Sequence, residues 1–250
     1  MQRFVIRAML VGLAIWGFSG ICGAADPPAK IHALVITGDD VGVHPWRETT
    51  KIEQATLEAT GRIDVKVVEN LDILESESDL KGYDVIVLMR YDRKAPTLSE
   101  KAQQNLFGFV KGGKGFFVQH LATASFPKCE EFGKLCGRYW VMGKSGHGPR
   151  STFDVKVVNK EHPITKGLEN FKADDELYAK LRGDGPINVL VEADSDWSKK
   201  TEPLLFTAEC GKGRVVNNAF GHDGKALSNP AVLKIIARGV EWAATGKVAE

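Results

Sequence analysis

Apolar residues recur along this chain in two rhythms. "IHALVIT" (31–37), "DVIVLM" (84–89) and "GFFV" (115–118) are unbroken apolar runs, the mark of strands buried on both faces. "IDVKVV" (63–68) alternates instead, as a half-buried strand does. Residues 49–60 have helical character, and Thr97 with Glu100 forms a capping box that predicts a helix through Val110. Strands alternating with helices predict a parallel sheet covered on both sides. The second half is richer in strands, at "TFDVKVV" (152–158), "INVLVEA" (187–193), "EPLLFTA" (202–208) and within "GKGRVVNNAF" (211–220). A closing helix is well marked. Asn229 caps it, Pro230 suits its first position, Gly246 stops it, and Val232, Ile235, Ile236 and Ala243 form its buried face. With no repeat, linker or low-complexity tract, the pattern predicts one α/β domain.

Composition adjusts this picture at the N-terminus. Arg3 and Arg7 precede the apolar run "AMLVGLAIWGF", and "CGAAD" offers small residues for cleavage near Ala24 or Ala25. Residues 1–25 therefore read as a secretory signal peptide, leaving a domain over 26–250, periplasmic or secreted, with no stable membrane span after processing. Cys22 invites a lipoprotein reading, but Ile21 is large where such signals want a small residue. The net charge of the whole chain is +1 and the charges are interspersed, which argues against a nucleic-acid partner. The remaining cysteines, Cys129, Cys136 and Cys210, are odd in number and are expected as free, mostly buried thiols. Cys129 and Cys136 would lie about 10 Å apart on a helix, too far for a bridge unless the helix breaks between them.

In open parallel sheets, ligands gather beyond the carboxyl ends of the strands. The first strand is followed by Asp39, Asp40, His44, Trp46 and Arg47, and the run at 84–89 by Arg90, Tyr91 and Asp92. The third apolar run is followed by Gln119 and His120, and the strand near 213–220 by His222 and Asp223. His147 lies in a glycine-rich loop that can reach the same rim, while His32 and His162 suit structural roles at a strand start and a turn. In "ADDELYAKL", Glu176 is either part of a solvated helix start or an inward acid/base or metal ligand with Tyr178 on its side. "GGKG" and "GKGR" are neither a P-loop nor a dinucleotide fingerprint and read as turns. HExxH and CxxC are absent, so a divalent metal, if bound, needs ligands from distant loops.

"HPW" with "RETT", "GGKGFFVQH", "EHPITKGLENF", "DDELY", "GKGRVVNNAFGHD" and "NPAVLKIIARGVEWA" occur in an order that resembles the ThuA-like (trehalose-utilisation) family. The resemblance runs from about Ile31 to Gly246. It implies a class I glutamine amidotransferase-like, flavodoxin-like fold: a three-layer α/β sandwich with a central mostly parallel sheet. In such amidotransferases a strand-to-helix turn carries a catalytic cysteine and a late strand delivers a histidine. Here His120 takes the cysteine's place and His222 falls near that histidine, so glutaminase activity is not expected. Gln119 departs from the family pattern, in which a small or branched apolar residue commonly precedes that position. The resemblance implies a sugar ligand, such as a disaccharide or keto-glycoside, handled by acid/base or metal-assisted chemistry as an isomerase, lyase or hydrolase. His120, Glu176 and His222 are the candidate catalytic residues, and His44, Trp46, Arg90, Gln119, His147, Tyr178 and Asp223 are candidate sugar contacts. A non-catalytic carbohydrate-binding or sensing module is the alternative, and the oligomeric state is open.

Overall fold

The computed structural model describes residues 29–38, 41–91 and 98–249. The proposed signal peptide, Asp39, Asp40, Asp92 and Thr97 lie outside them. The first half lays down β1 (Ile31–Ile36), α1 (Trp46–Glu58), β2 (Ile63–Val68), α2 (Glu77–Leu80), β3 (Val85–Leu88), α3 (Glu100–Lys111) and β4 (Gly115–Gln119). A 3-10 turn over His120–Ala124 leads to α4 (Glu130–Cys136). There follow β5 (Gly146–His147), β6 (Ser151–Val157), β7 (Phe171–Asp175), β8 (Tyr178–Ala179), β9 (Asn188–Ser195), β10 (Lys200–Cys210) and β11 (Gly213–Asn218). The chain closes with α5 (Gly224–Leu227) and α6 (Pro230–Thr245).

The nine strands of the main sheet run in the order β2-β1-β3-β4-β11-β10-β9-β6-β7. The first five are mutually parallel and the last four extend them antiparallel, so the sheet is mostly parallel. The unbroken apolar runs follow from this placement. Ala33 and Val35 of β1 face the layer of α1 and α6, whereas Leu34 and Ile36 face the layer of α3 and α4. Period-two alternation thus serves two cores rather than a core and a solvent face. The architecture is the three-layer α/β sandwich that the alternation of elements implies.

Local details differ from the sequence reading at two helices. Ser99, not Thr97, caps α3, with its hydroxyl accepting from the Ala102 amide at 3.0 Å. "DDELY" is no helix start: Asp175 ends β7 and Tyr178 begins β8. Asn229 caps α6, and Gly246 ends it with a left-handed backbone, as expected. Cys129, Cys136 and Cys210 are free thiols, the first two buried. Among the described residues, no helix is long and apolar enough to cross a membrane.

Candidate functional site

The site forms where the carboxyl ends of β1, β4 and β11 meet the short β5–β8 ribbon. β4 ends at Gln119, and the next residue, His120, takes a left-handed backbone with φ of 43°. A non-glycine residue there costs about 1–3 kcal/mol and marks a turn held by its surroundings. Two contacts hold it: His120 Nδ1 lies 2.6 Å from the Ala219 carbonyl, and the Thr123 hydroxyl donates to the His120 carbonyl at 3.0 Å. His44 comes from the loop before α1, where Pro45 turns the chain into the helix. His222 follows Gly221, whose φ is 117° and where a Cβ would sit 2.4 Å from Gln119 Nε2. Only glycine fits that corner. Asp175 fixes it from below, accepting from the amides of Gly221 at 2.7 Å and His222 at 3.2 Å.

Glu176 stands at the centre. Its Oε2 lies 3.2 Å from His222 Nδ1, 3.7 Å from His120 Nε2 and 3.8 Å from His44 Nε2. Its Oε1 lies 3.5 Å from His147 Nε2. The first four residues are largely buried, whereas the His147 side chain is 32% exposed. Burial alone would raise the Glu176 carboxyl, but the imidazoles of His120, His222 and His44 outweigh it and hold the group well below the usual carboxylate range. The carboxylate beside His222 raises that imidazole, while burial lowers His44. Despite this closeness, Oε2 of Glu176, Nδ1 of His222 and both ring nitrogens of His44 are buried without a hydrogen bond.

Several sugar-contact candidates do other work. Tyr178 is only 2% exposed and its ring stacks on His120, with centroids 4.3 Å apart. Its hydroxyl lies 3.0 Å from His120 Nε2, so it positions that imidazole and offers no free face to a sugar. Arg90 donates to the carbonyls of Thr37 at 3.1 Å and Glu69 at 2.8 Å, tying together the chain leaving β1 and β2. Both ends of the Gln119 amide are engaged, Nε2 by the Phe220 carbonyl and Oε1 by Asn218. Asp223 pairs with Arg150 and caps α5 through the Ala226 amide. Trp46 lines the cleft beside the cluster, with the Arg47 guanidinium 4.0 Å from its ring centroid. His32 and His162 lie elsewhere: His32 is the exposed second residue of β1, and His162 rests against Trp242.

Sequence reasoning missed Asp175 and Arg150. Asp175 stands in the acid run beside Glu176, and nothing in its type distinguishes an acid that binds three amides from one that faces solvent. Arg150 carries no local signal, because its partners Asp174 and Asp223 lie 24 and 73 residues away.

The model of the ThuA family, described as trehalose utilisation, matches residues 32–243. A ThuA-like protein from Parabacteroides merdae has a solved structure with a TM-score of 0.76 and 29% identity, covering 88% of this chain and 92% of its own. A second, from Bacteroides uniformis, has a TM-score of 0.68 and 18% identity, covering 90% and 98%. A glutamine amidotransferase from Thermotoga maritima shares the fold, at a TM-score of 0.50 and 12% identity over 85% and 96%. No match is found among curated proteins. With the family model spanning nearly every described element, from the start of β1 into the last turn of α6, the chain belongs to the ThuA trehalose-utilisation family.

Proposed function

We propose that this chain is an exported enzyme acting on a sugar, of the disaccharide or keto-glycoside class, at the cluster centred on Glu176. The observation that supports it is a buried carboxylate facing four imidazoles, beside a strained turn at the carboxyl edge of a parallel sheet. Left-handed strain at such a turn is kept where it presents a group for use. That group is an imidazole, so the thioester route of an amidotransferase has no nucleophile at this turn. Cys129 does not replace it, being buried with its thiol 3.2 Å from Gln103 Oε1.

An imidazole–carboxylate cluster acts at a sugar carbonyl by moving a proton on the adjacent carbon, or by holding a cation that polarises the carbonyl oxygen. Both suit an isomerase, a lyase or a hydrolase of a keto-glycoside. Trp46, which lines the cleft beside His44, His120 and His222, is the group best placed to meet a ligand entering from solvent.

The test is incubation with a panel of glycosides and their 3-keto forms, read by mass spectrometry, with and without a chelator. Conversion of at least one member, abolished in His120→Ala while the variant unfolds at a near-native temperature, is expected. Sugar affinity without product, unchanged in His120→Ala and Glu176→Gln, would establish the binding-module alternative.

A further inference from the structure

We infer that His44, His120, His222 and Glu176 hold one divalent first-row transition-metal ion. This rests on the reading above only in taking the cluster as the functional centre, and not on the ligand being a sugar.

The ligand atoms of the four residues all lie within 4.8 Å of one another. Ligands about 2.0–2.2 Å from a single ion stand roughly 3.3–3.6 Å apart at tetrahedral angles. The separations from Glu176 Oε2, at 3.2, 3.7 and 3.8 Å, are of that size. They are also too long, or too poorly aligned, to be the hydrogen bonds that would otherwise justify burying these groups. Buried polar atoms are nearly always partnered, and each orphan costs about 1–3 kcal/mol. Here four orphaned atoms on His44, Glu176 and His222 occur together, and a cation satisfies the inward-facing ones at once.

Supporting contacts fit the same reading. A ligating histidine usually binds through one nitrogen while its other N–H is held by a carbonyl or carboxylate. His120 has that arrangement, with Nδ1 against the Ala219 carbonyl at 2.6 Å and Nε2 turned to the cluster. Asp175 holds the backbone of His222, so both elements are fixed by groups outside the ligand set. His147 is different in kind. It faces the opposite carboxylate oxygen and is the most exposed of the four histidines, which leaves it outside the cation's shell. Three imidazoles with one carboxylate suit zinc, iron, cobalt or manganese better than magnesium or calcium, which prefer all-oxygen sites. His120 Nε2 is the one donor already contacted within the protein, by the Tyr178 hydroxyl at 3.0 Å. Ion and hydroxyl compete for that lone pair.

Metal content and affinity test the site without any substrate. Untagged protein, stripped with a chelator and dialysed, is titrated with Zn²⁺ by calorimetry, and with Co²⁺ by visible absorption. One ion per chain is expected, with the intense d–d bands of a low-coordinate cobalt site. Glu176→Gln and His222→Ala should each weaken binding more than about 100-fold, since even outer-shell changes cost 10–100-fold. His162→Ala should keep it. Thermal unfolding of the stripped variants shows whether they fold. If both ligand variants unfold, His44→Gln replaces them in the titration. Absence of stoichiometric binding by the native chain, or equal affinity in folded ligand variants, would overturn the site. Sugar turnover by fully stripped protein would refute the ion's part and leave the sugar reading standing. An ion bound at this site with no sugar converted would do the reverse.

Discussion

Glu53 provides a sharp test of the physical reasoning. It lies on α1, the helix that begins two residues after His44, and it is fully buried. Neither carboxyl oxygen has a hydrogen-bond partner among the described residues. Burial pushes its carboxyl from the ordinary 4.5 up to about 8. The folded protein therefore carries Glu53 as a neutral acid at pH 7, whereas the unfolded chain ionises it. The sign follows: stability is complete below pH 4.5, falls as the pH rises toward 8, and is level beyond. One pH unit of such mismatch is worth about 1.4 kcal/mol, so the loss is about 3 kcal/mol at pH 7 and about 5 kcal/mol above pH 8, to order of magnitude. Glu53→Gln keeps the shape, removes the ionisation and buries an amide no better partnered than the acid it replaces. Urea unfolding at pH 5, 7 and 8.5 should show little change at pH 5 and a stabilised variant at pH 7. The midpoint temperature at pH 7 should rise by about 6–12 °C for a chain of this size. A stability difference independent of pH, or a variant less stable at pH 8.5, would refute the buried neutral acid.

Three further outcomes follow from the site's construction. Asp175→Asn should lose roughly 2–3 kcal/mol in urea unfolding, because a buried carboxylate accepting the Gly221 and His222 amides is replaced by a weaker, partly mismatched amide. Gly221→Ala should destabilise by about 1–3 kcal/mol, since a Cβ there meets Gln119 at 2.4 Å on a backbone with φ of 117°; a stability equal to native would show that the corner relaxes freely. Tyr178→Phe should destabilise by about 1–3 kcal/mol and shift the His120 ring resonances in an NMR spectrum, since it removes the hydroxyl that partners the buried Nε2.

The fold was legible because its strands announce themselves. Leu34, Val35 and Ile36 bury alternate faces in separate cores, and a run with no polar position has few other homes. The closing helix was legible for another reason: Asn229, Pro230 and Gly246 are local signals, acting within one turn of the residues they cap. Glu176 was the hard case. Acids before an apolar residue look the same at a helix start and at the end of an edge strand. What turns Glu176 inward is the pairing of β7 with β6 and of β8 with β5, together with Asp175 reaching two amides 46 and 47 residues away. Arg90, Asp223 and Tyr178 follow or flank the strand ends that the sequence marks, but their partners lie at distant positions. The sequence therefore brought them to the site without revealing that each is occupied in holding it together.

The same logic explains what the turn at His120 does in this chain. An exposed nucleophile needs a free face, yet His120 is 2% exposed, pinned through Nδ1 and stacked on Tyr178. A side chain so constrained cannot swing through a covalent cycle, but immobility is what a ligand or a fixed proton donor requires. The strain at φ of 43° then serves to aim one nitrogen at Glu176 rather than to expose a reactive atom. His147 stands apart from this set: it is the most exposed of the four imidazoles, it approaches the other carboxylate oxygen at 3.5 Å, and its own Nδ1 is held by the Gly148 carbonyl at 2.7 Å. His147→Gln should therefore retain both the fold and one bound ion per chain in the Zn²⁺ titration. Loss of the ion in a folded variant would instead place His147 in the cation's shell with the other three imidazoles.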